Sequence, residues 1–212
     1  MEWTRHCNGM ARRKREVKPG VPMHVWARGN HQETVFHSEM EYRIFLRLLR
    51  EHCEIYGVEI FAYCLMSNHY HLVVAGERVT AVSLAIGQTN REYSYLRHQM
   101  MGTSGQLWEG RFGSSLLDDA YFWTAFCYVE RNPREAGMVV KPWDWPWSSA
   151  RSHVGMAEES WLSNSRWQAR YDANTWRHAL DVGIRDEALE ERIAAGKIWF
   201  QQNPVTRHRK KG

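Results

Sequence analysis

The 212-residue chain is 43% hydrophobic and 25% charged, ordinary globular proportions that argue against wholesale disorder and provide length for one core, not two. Its longest apolar runs, such as Leu72-Val73-Val74-Ala75, fall far short of the roughly 20 residues a membrane span needs, and the opening residues lack the apolar stretch of a secretion signal. A cytoplasmic protein is expected. The net charge of +4 gathers at the ends, which makes Arg12, Arg13, Lys14, Arg15, Arg209, Lys210 and Lys211 candidate nucleic-acid contacts or, equally, parts of solvated tails.

Residues 1–20 read as a basic arm closed by the turn-forming Lys18-Pro19-Gly20. Val21 to Ala27 predicts a strand, broken by Arg28-Gly29-Asn30. Ser38 and Glu41 have capping-box spacing, Tyr42, Phe45, Leu46, Leu49, Cys53 and Tyr56 recur at helical intervals, and Gly57 stands where a helix ends. Val58–Met66 and His69–Ala75 predict two strands paired across the Ser67-Asn68 turn. Thr80 to about Met100 predicts a second helix, Arg111–Leu117 a fourth strand, and Asp118 or Asp119 caps a third helix expected to stop before Pro133.

The order β-α-β-β-α-β-α predicts an α+β, ferredoxin-like (RRM-like) split β-α-β sandwich. Its antiparallel sheet is expected to carry helices on one face and leave the other open for a ligand. A domain over 21–153 is expected between the arm and a C-terminal helical extension with a basic tail over 154–212, including a charged helix near Arg185–Ile198. The tryptophans of this end (Trp143, Trp145, Trp147, Trp161, Trp167, Trp176) suit packing of the segment onto the domain or stacking on bases. Four scattered cysteines, Cys7, Cys53, Cys64 and Cys127, show no metal or redox spacing and read as reduced.

Alternation along a strand puts His69 and His71 on one face and Tyr70, Leu72 and Val74 on the other. With Tyr70 filling the helix-covered core, the imidazoles are expected on the open side, arranged as metal ligands with vacant positions or simply as hydrogen-bonded strand histidines. On the third helix Tyr121, Ala125, Tyr128 and Asn132 form one stripe opposite Phe122, Phe126 and Val129. Tyr128 therefore suits either a nucleophile beside the histidines or a half-buried helix tyrosine.

Five ordered segments carry a family resemblance: His24-Val25-Trp26-Ala27-Arg28-Gly29-Asn30, Leu65-Met66-Ser67-Asn68-His69-Tyr70-His71-Leu72-Val73-Val74, Trp108-Glu109-Gly110-Arg111-Phe112, Tyr128-Val129-Glu130-Arg131-Asn132-Pro133-Arg134-Glu135-Ala136-Gly137 and Pro146-Trp147-Ser148-Ser149-Ala150. From about residue 20 to 153 the chain resembles the HUH single-tyrosine transposases, specifically the REP-associated tyrosine transposases. The resemblance implies His69 and His71 as catalytic metal ligands, Asn132 as a third ligand, and Tyr128 as the nucleophile. It implies Mg2+ or Mn2+ as cofactor and a single-stranded DNA partner with a palindromic hairpin. The implied reaction is nicking and strand transfer through a 5′-phosphotyrosine. Monomer and homodimer stay open. So do two rival activities, a non-catalytic hairpin DNA- or RNA-binding protein of the same fold and a metal-dependent hydrolase that attacks with water.

Overall fold

The computed structural model describes residues 18–184, so Arg12, Arg13, Lys14, Arg15, Arg209, Lys210, Lys211 and the charged Arg185–Ile198 stretch lie outside the described residues. The elements occur in the expected order: β1 (Met23–Arg28), α1 (Glu39–Tyr56), β2 (Val58–Leu65), β3 (His69–Gly76), α2 (Ala81–Met101), β4 (Gly113–Leu116) and α3 (Asp119–Glu135). Three short helices close the described chain: α4 (Ala150–His153), α5 (Ser165–Gln168) and α6 (Ala173–Val182).

Local chemistry sets these boundaries. The Ser38 hydroxyl accepts from the Glu41 amide to open α1, and Gly57 ends it at φ 66°, a left-handed conformation that favours glycine. Asp118 opens α3 by accepting from the Tyr121 amide at 3.0 Å. α3 does not stop before Pro133 but runs two residues past it to Glu135. Proline lacks an N–H and its ring crowds the carbonyl four residues back, but the turn is held from outside: Arg131 and Arg134 both donate to the Asp181 carbonyl at the end of α6, at 3.1 and 3.0 Å. Tertiary bonds thus override the local preference of Asn132 for extended backbone.

The four strands form one antiparallel sheet in the order β2-β3-β1-β4, in which Trp26 stands opposite His71 and Arg28 opposite His69. Met23, Val25 and Ala27 of β1, Tyr70, Leu72 and Val74 of β3, and Ile60, Tyr63 and Leu65 of β2 pack with α1 and α2 in one core. Tyr70 lies in that core as expected, its hydroxyl bonded to Asn90 Oδ1 at 3.0 Å.

The second face is not open. The expectation of helices on one face holds for α1 and α2, but α3 lies across β2 and β3 on the other, so the sheet is covered on both sides. A bulge between Ile60 and Ala62 turns Phe61, Ala62 and Cys64 towards α3, where they meet Phe122, Ala125, Phe126 and Val129. A strand pair with apolar side chains on both faces has to be covered twice.

A buried polar network fastens α3. Glu130, fully buried, accepts from Ser149 Oγ at 2.5 Å, from His153 Nδ1 at 2.6 Å and from Trp176 Nε1 at 2.7 Å. Ser149 in turn donates its amide to the Tyr63 carbonyl of β2 at 3.0 Å. Trp176 is completely buried on α3, the packing role open to the C-terminal tryptophans. Burial opposes the charge on His153, yet the Glu130 charge and the hydrogen bonds His153 donates to Glu130 and Asn164 prevail and hold its pKa above the ordinary value. Removing the charge while keeping the shape, as in Glu130→Gln, leaves one accepting oxygen and sets an amide N–H against the donors on the other side. It is expected to cost about 3 kcal/mol, read as a lower urea midpoint.

Candidate active site

The two faces of β1 and β3 differ in chemistry. Opposite the α1–α2 core the pleat collects His24, Trp26 and Arg28 from β1 and His69 and His71 from β3. Neither histidine is solvent-facing: His69 is 2% exposed and His71 not at all, because α3 covers them. The expectation of an open histidine pair is therefore corrected. Beside the histidines' neighbours Trp26 and Arg28, the residues Trp26, Ala27, Arg28, Glu109, Gly110, Arg111 and Gly113 line a cavity of about 280 Å3.

α3 brings Tyr128 to the histidines. Its ring stands edge-on to His71, with centroids 5.6 Å apart, and edge-on to His24 at 6.3 Å. One helical turn later Asn132 is buried on the same stripe, close enough to His69 to oppose the lowering of its pKa. His69 and His71 have their own ring centroids 5.1 Å apart. The four residues singled out in the sequence, His69, His71, Tyr128 and Asn132, thus converge, although the stripe Tyr121-Ala125-Tyr128-Asn132 is buried against the sheet for much of its length.

Three further residues complete the site. His24 is fully buried, 3.0 Å through Nε2 from His71 Nδ1, and its ring stacks on both His71 and Trp26 at 5.1 Å. Trp26 in turn leans over Gly113, where an added Cβ would come within 2.2 Å of the indole. Arg28 brings a cation: its side chain is only 18% exposed, sits 3.9 Å from Glu109, and its charge reaches both His69 and His71. Their signal in the sequence is the alternation His24, Trp26, Arg28 between Met23, Val25 and Ala27. It identifies them only once the pairing of β1 with β3 is known.

Electrostatically the site favours neutral rings. Burial lowers the pKa of His24 to about 3 and that of His71 well below the usual range; His71 is also lowered by His24, His69 and Arg28. Burial takes His69 down to about 4, with Asn132 opposing and Arg28 assisting. Neutral imidazoles keep a lone pair for a ligand. Among the described residues no three His, Cys, Asp or Glu side chains are grouped to hold a metal. Two neutral imidazoles and a carboxamide are nevertheless donor types that suit a divalent ion.

The model of the IS200-like transposase family matches residues 18–132, just over half of the chain. The chain belongs to that family. The IS200-like chain has no match among curated proteins. Its fold is that of a solved REP-associated tyrosine transposase bound to a REP hairpin: TM-score 0.58 and 15% identity, over 73% of this chain and 98% of that one. A candidate transposase from Deinococcus radiodurans R1 aligns at 17% identity over 57% of this chain and 96% of that one, with a TM-score of 0.40. Family membership makes this a DNA-processing enzyme, and no helix among the described residues is long and apolar enough to cross a membrane.

The lowered histidine pKa values set a pH signature for this transposase. A histidine kept neutral when folded but titrating near 6.5 when unfolded adds stability that is complete above pH 6.5 and lost as pH falls towards its folded value. Each such ring takes up one proton on unfolding, worth at most about 1.4 kcal/mol per pH unit. Denaturation measured between pH 6.5 and 5 is therefore expected to fall less steeply for His24→Leu than for the unchanged protein, by up to that slope.

Proposed function

We propose that this transposase nicks and rejoins single-stranded DNA, with Tyr128 as nucleophile and His69, His71 and Asn132 holding a divalent cation, Mg2+ or Mn2+. One observation carries the proposal: α3 brings the Tyr128 ring edge-on to His71, 5.6 Å between centroids, with Asn132 buried one turn further along the same helix. Phenol, imidazoles and amide would then serve one phosphate. Bound there, the cation would polarise a phosphate oxygen and offset charge on the leaving 3′ oxygen.

The protein's own groups do the rest. A free tyrosine has a pKa near 10, so roughly one in a thousand is phenolate at neutral pH, and positive charge is needed to favour the reactive form. Arg28 supplies such charge beside His69 and Glu109, and it would also draw the phosphodiester in through the Trp26–Arg111 cavity. The Tyr128 oxygen would attack phosphorus as the bond to the 3′ oxygen breaks. The phenol gives up its proton and the departing 3′ oxygen takes one up. A 5′-phosphotyrosine and a free 3′-hydroxyl result. A second 3′-hydroxyl can reverse the step without an external energy source, because the phosphotyrosine keeps a diester.

A folded-back hairpin is the proposed partner, in line with the hairpin-bound relative of the same fold. The basic ends, Arg12, Arg13, Lys14, Arg15, Arg209, Lys210 and Lys211, are proposed to contact its backbone, adding affinity without sequence choice.

Incubation with a labelled single-stranded hairpin and Mn2+ is expected to give an adduct that survives denaturation, absent in Tyr128→Phe while hairpin binding persists. An undiminished adduct in Tyr128→Phe would move the nucleophile elsewhere. Cleavage with no adduct in the unchanged protein would favour a water-attacking hydrolase, and binding with neither would favour a non-catalytic hairpin binder. Arg28→Gln is expected to slow adduct formation about 100-fold with hairpin affinity changed far less, checked by single-turnover kinetics.

A further inference from the structure

A neutral imidazole has one N–H and one lone pair, so which nitrogen carries the proton decides whether it can bind a cation. At His69 the choice is settled by Asn68. The Asn68 amide nitrogen donates to the Gln32 carbonyl at 3.0 Å, which turns its Oδ1 towards His69 Nδ1, 2.6 Å away. A carboxamide oxygen only accepts, so His69 Nδ1 donates and carries the proton. Asn68 is held in this attitude by its backbone as well, since its carbonyl accepts the Gly29 amide at 2.8 Å.

At His71 the corresponding partner is His24, with Nε2 3.0 Å from His71 Nδ1. Only one of two neutral rings can donate across that contact. Were His24 the donor, the His71 lone pair would be spent on it and the His71 proton would sit on Nε2, leaving neither nitrogen for a cation. With His71 donating, its Nε2 carries the lone pair. His24 has little freedom to do otherwise than hold the ring: it is fully buried, stacked between His71 and Trp26, and borne on a strand in register with β3.

We propose that Asn68 and His24 are positioning residues that lock His69 and His71 as Nδ1–H tautomers, presenting both Nε2 lone pairs to a divalent cation, a role that rests on the metal-dependent reading of this site. The two locks approach from different elements, the β2–β3 turn and β1, so the rings are fixed in orientation as well as in proton position. Both partners are neutral where metal-bound histidines often have a carboxylate. The site therefore keeps its positive charge for the phosphate.

The test uses the full chain. In metal-free protein, long-range 1H–15N correlation spectra are expected to show the Nδ1–H tautomer at both rings. In Mn2+ titrations followed by the EPR signal of free Mn2+, His24→Leu and Asn68→Leu are expected to weaken binding about 10- to 100-fold. His24→Gln and Asn68→Asp keep an acceptor oxygen and are expected to recover most of the affinity, which a merely structural role would not produce. An Nε2–H tautomer at either ring, or Mn2+ affinity unchanged in His24→Leu, overturns this inference while leaving adduct formation through Tyr128 intact. Unchanged protein that shows no saturable Mn2+ binding overturns the metal-dependent reading and this inference together.

Discussion

β1 and β3 pair so that Trp26 meets His71 and Arg28 meets His69, and the pleat sends these side chains, with His24, to one face. A strand's side chains alternate with a period of two, so a slip of one residue in this pairing would exchange them with Val25, Ala27, Tyr70 and Leu72. Apolar groups would then stand in the site and charged ones in the α1–α2 core. The hydrophobic demand of that core is therefore what holds the chemical groups of the other face in register. Stability and placement of the site have one origin.

Placing imidazoles under a helix has an electrostatic consequence. Removed from water, His24, His69 and His71 lose their tendency to protonate, and Arg28 reinforces this at His69 and His71. Such rings are poor bases but good neutral ligands. The helix that buries them also carries Tyr128, so covering the histidines and delivering the phenol are a single packing event. Glu130, two residues along the chain from Tyr128, ties that helix to Ser149, His153 and Trp176, and through Ser149 to β2. A carboxylate with three donors in a dry setting tolerates little displacement, which keeps the helix that carries Tyr128 from drifting away from the sheet.

Much of the fold is legible along the chain because its signals are local. The Ser38 cap, the helical spacing from Tyr42 to Tyr56 and the left-handed Gly57 delimit α1 without reference to anything distant. The β2–β3 hairpin and the stripe bearing Tyr128 and Asn132 are equally readable. Pro133 misleads because it falls in the last turn of α3, which Arg131 and Arg134 hold in place through bonds to α6, nearly fifty residues further along the chain. The face expected to be open is covered because Phe61, Ala62 and Cys64 reach α3 through a bulge that breaks simple alternation. Arg28 reads locally as part of a loop and His24 only as a polar position in the alternation of β1, since neither adjoins His69 or His71 in the sequence.

The sequence by itself determined the order of elements, the side-chain alternation of β3 and the spacing of Tyr128 and Asn132, because each follows from backbone periodicity within one segment. Five ordered segments, none decisive alone, pointed to the transposase family that the comparison with known families then established. Only the tertiary structure decided that the histidines are buried and neutral, that Arg28 charges their surroundings and that His24 and Asn68 hold their rings. Those properties are set by distances between residues far apart in the chain, and desolvation, Coulomb attraction and hydrogen-bond direction depend on such distances rather than on position in the sequence.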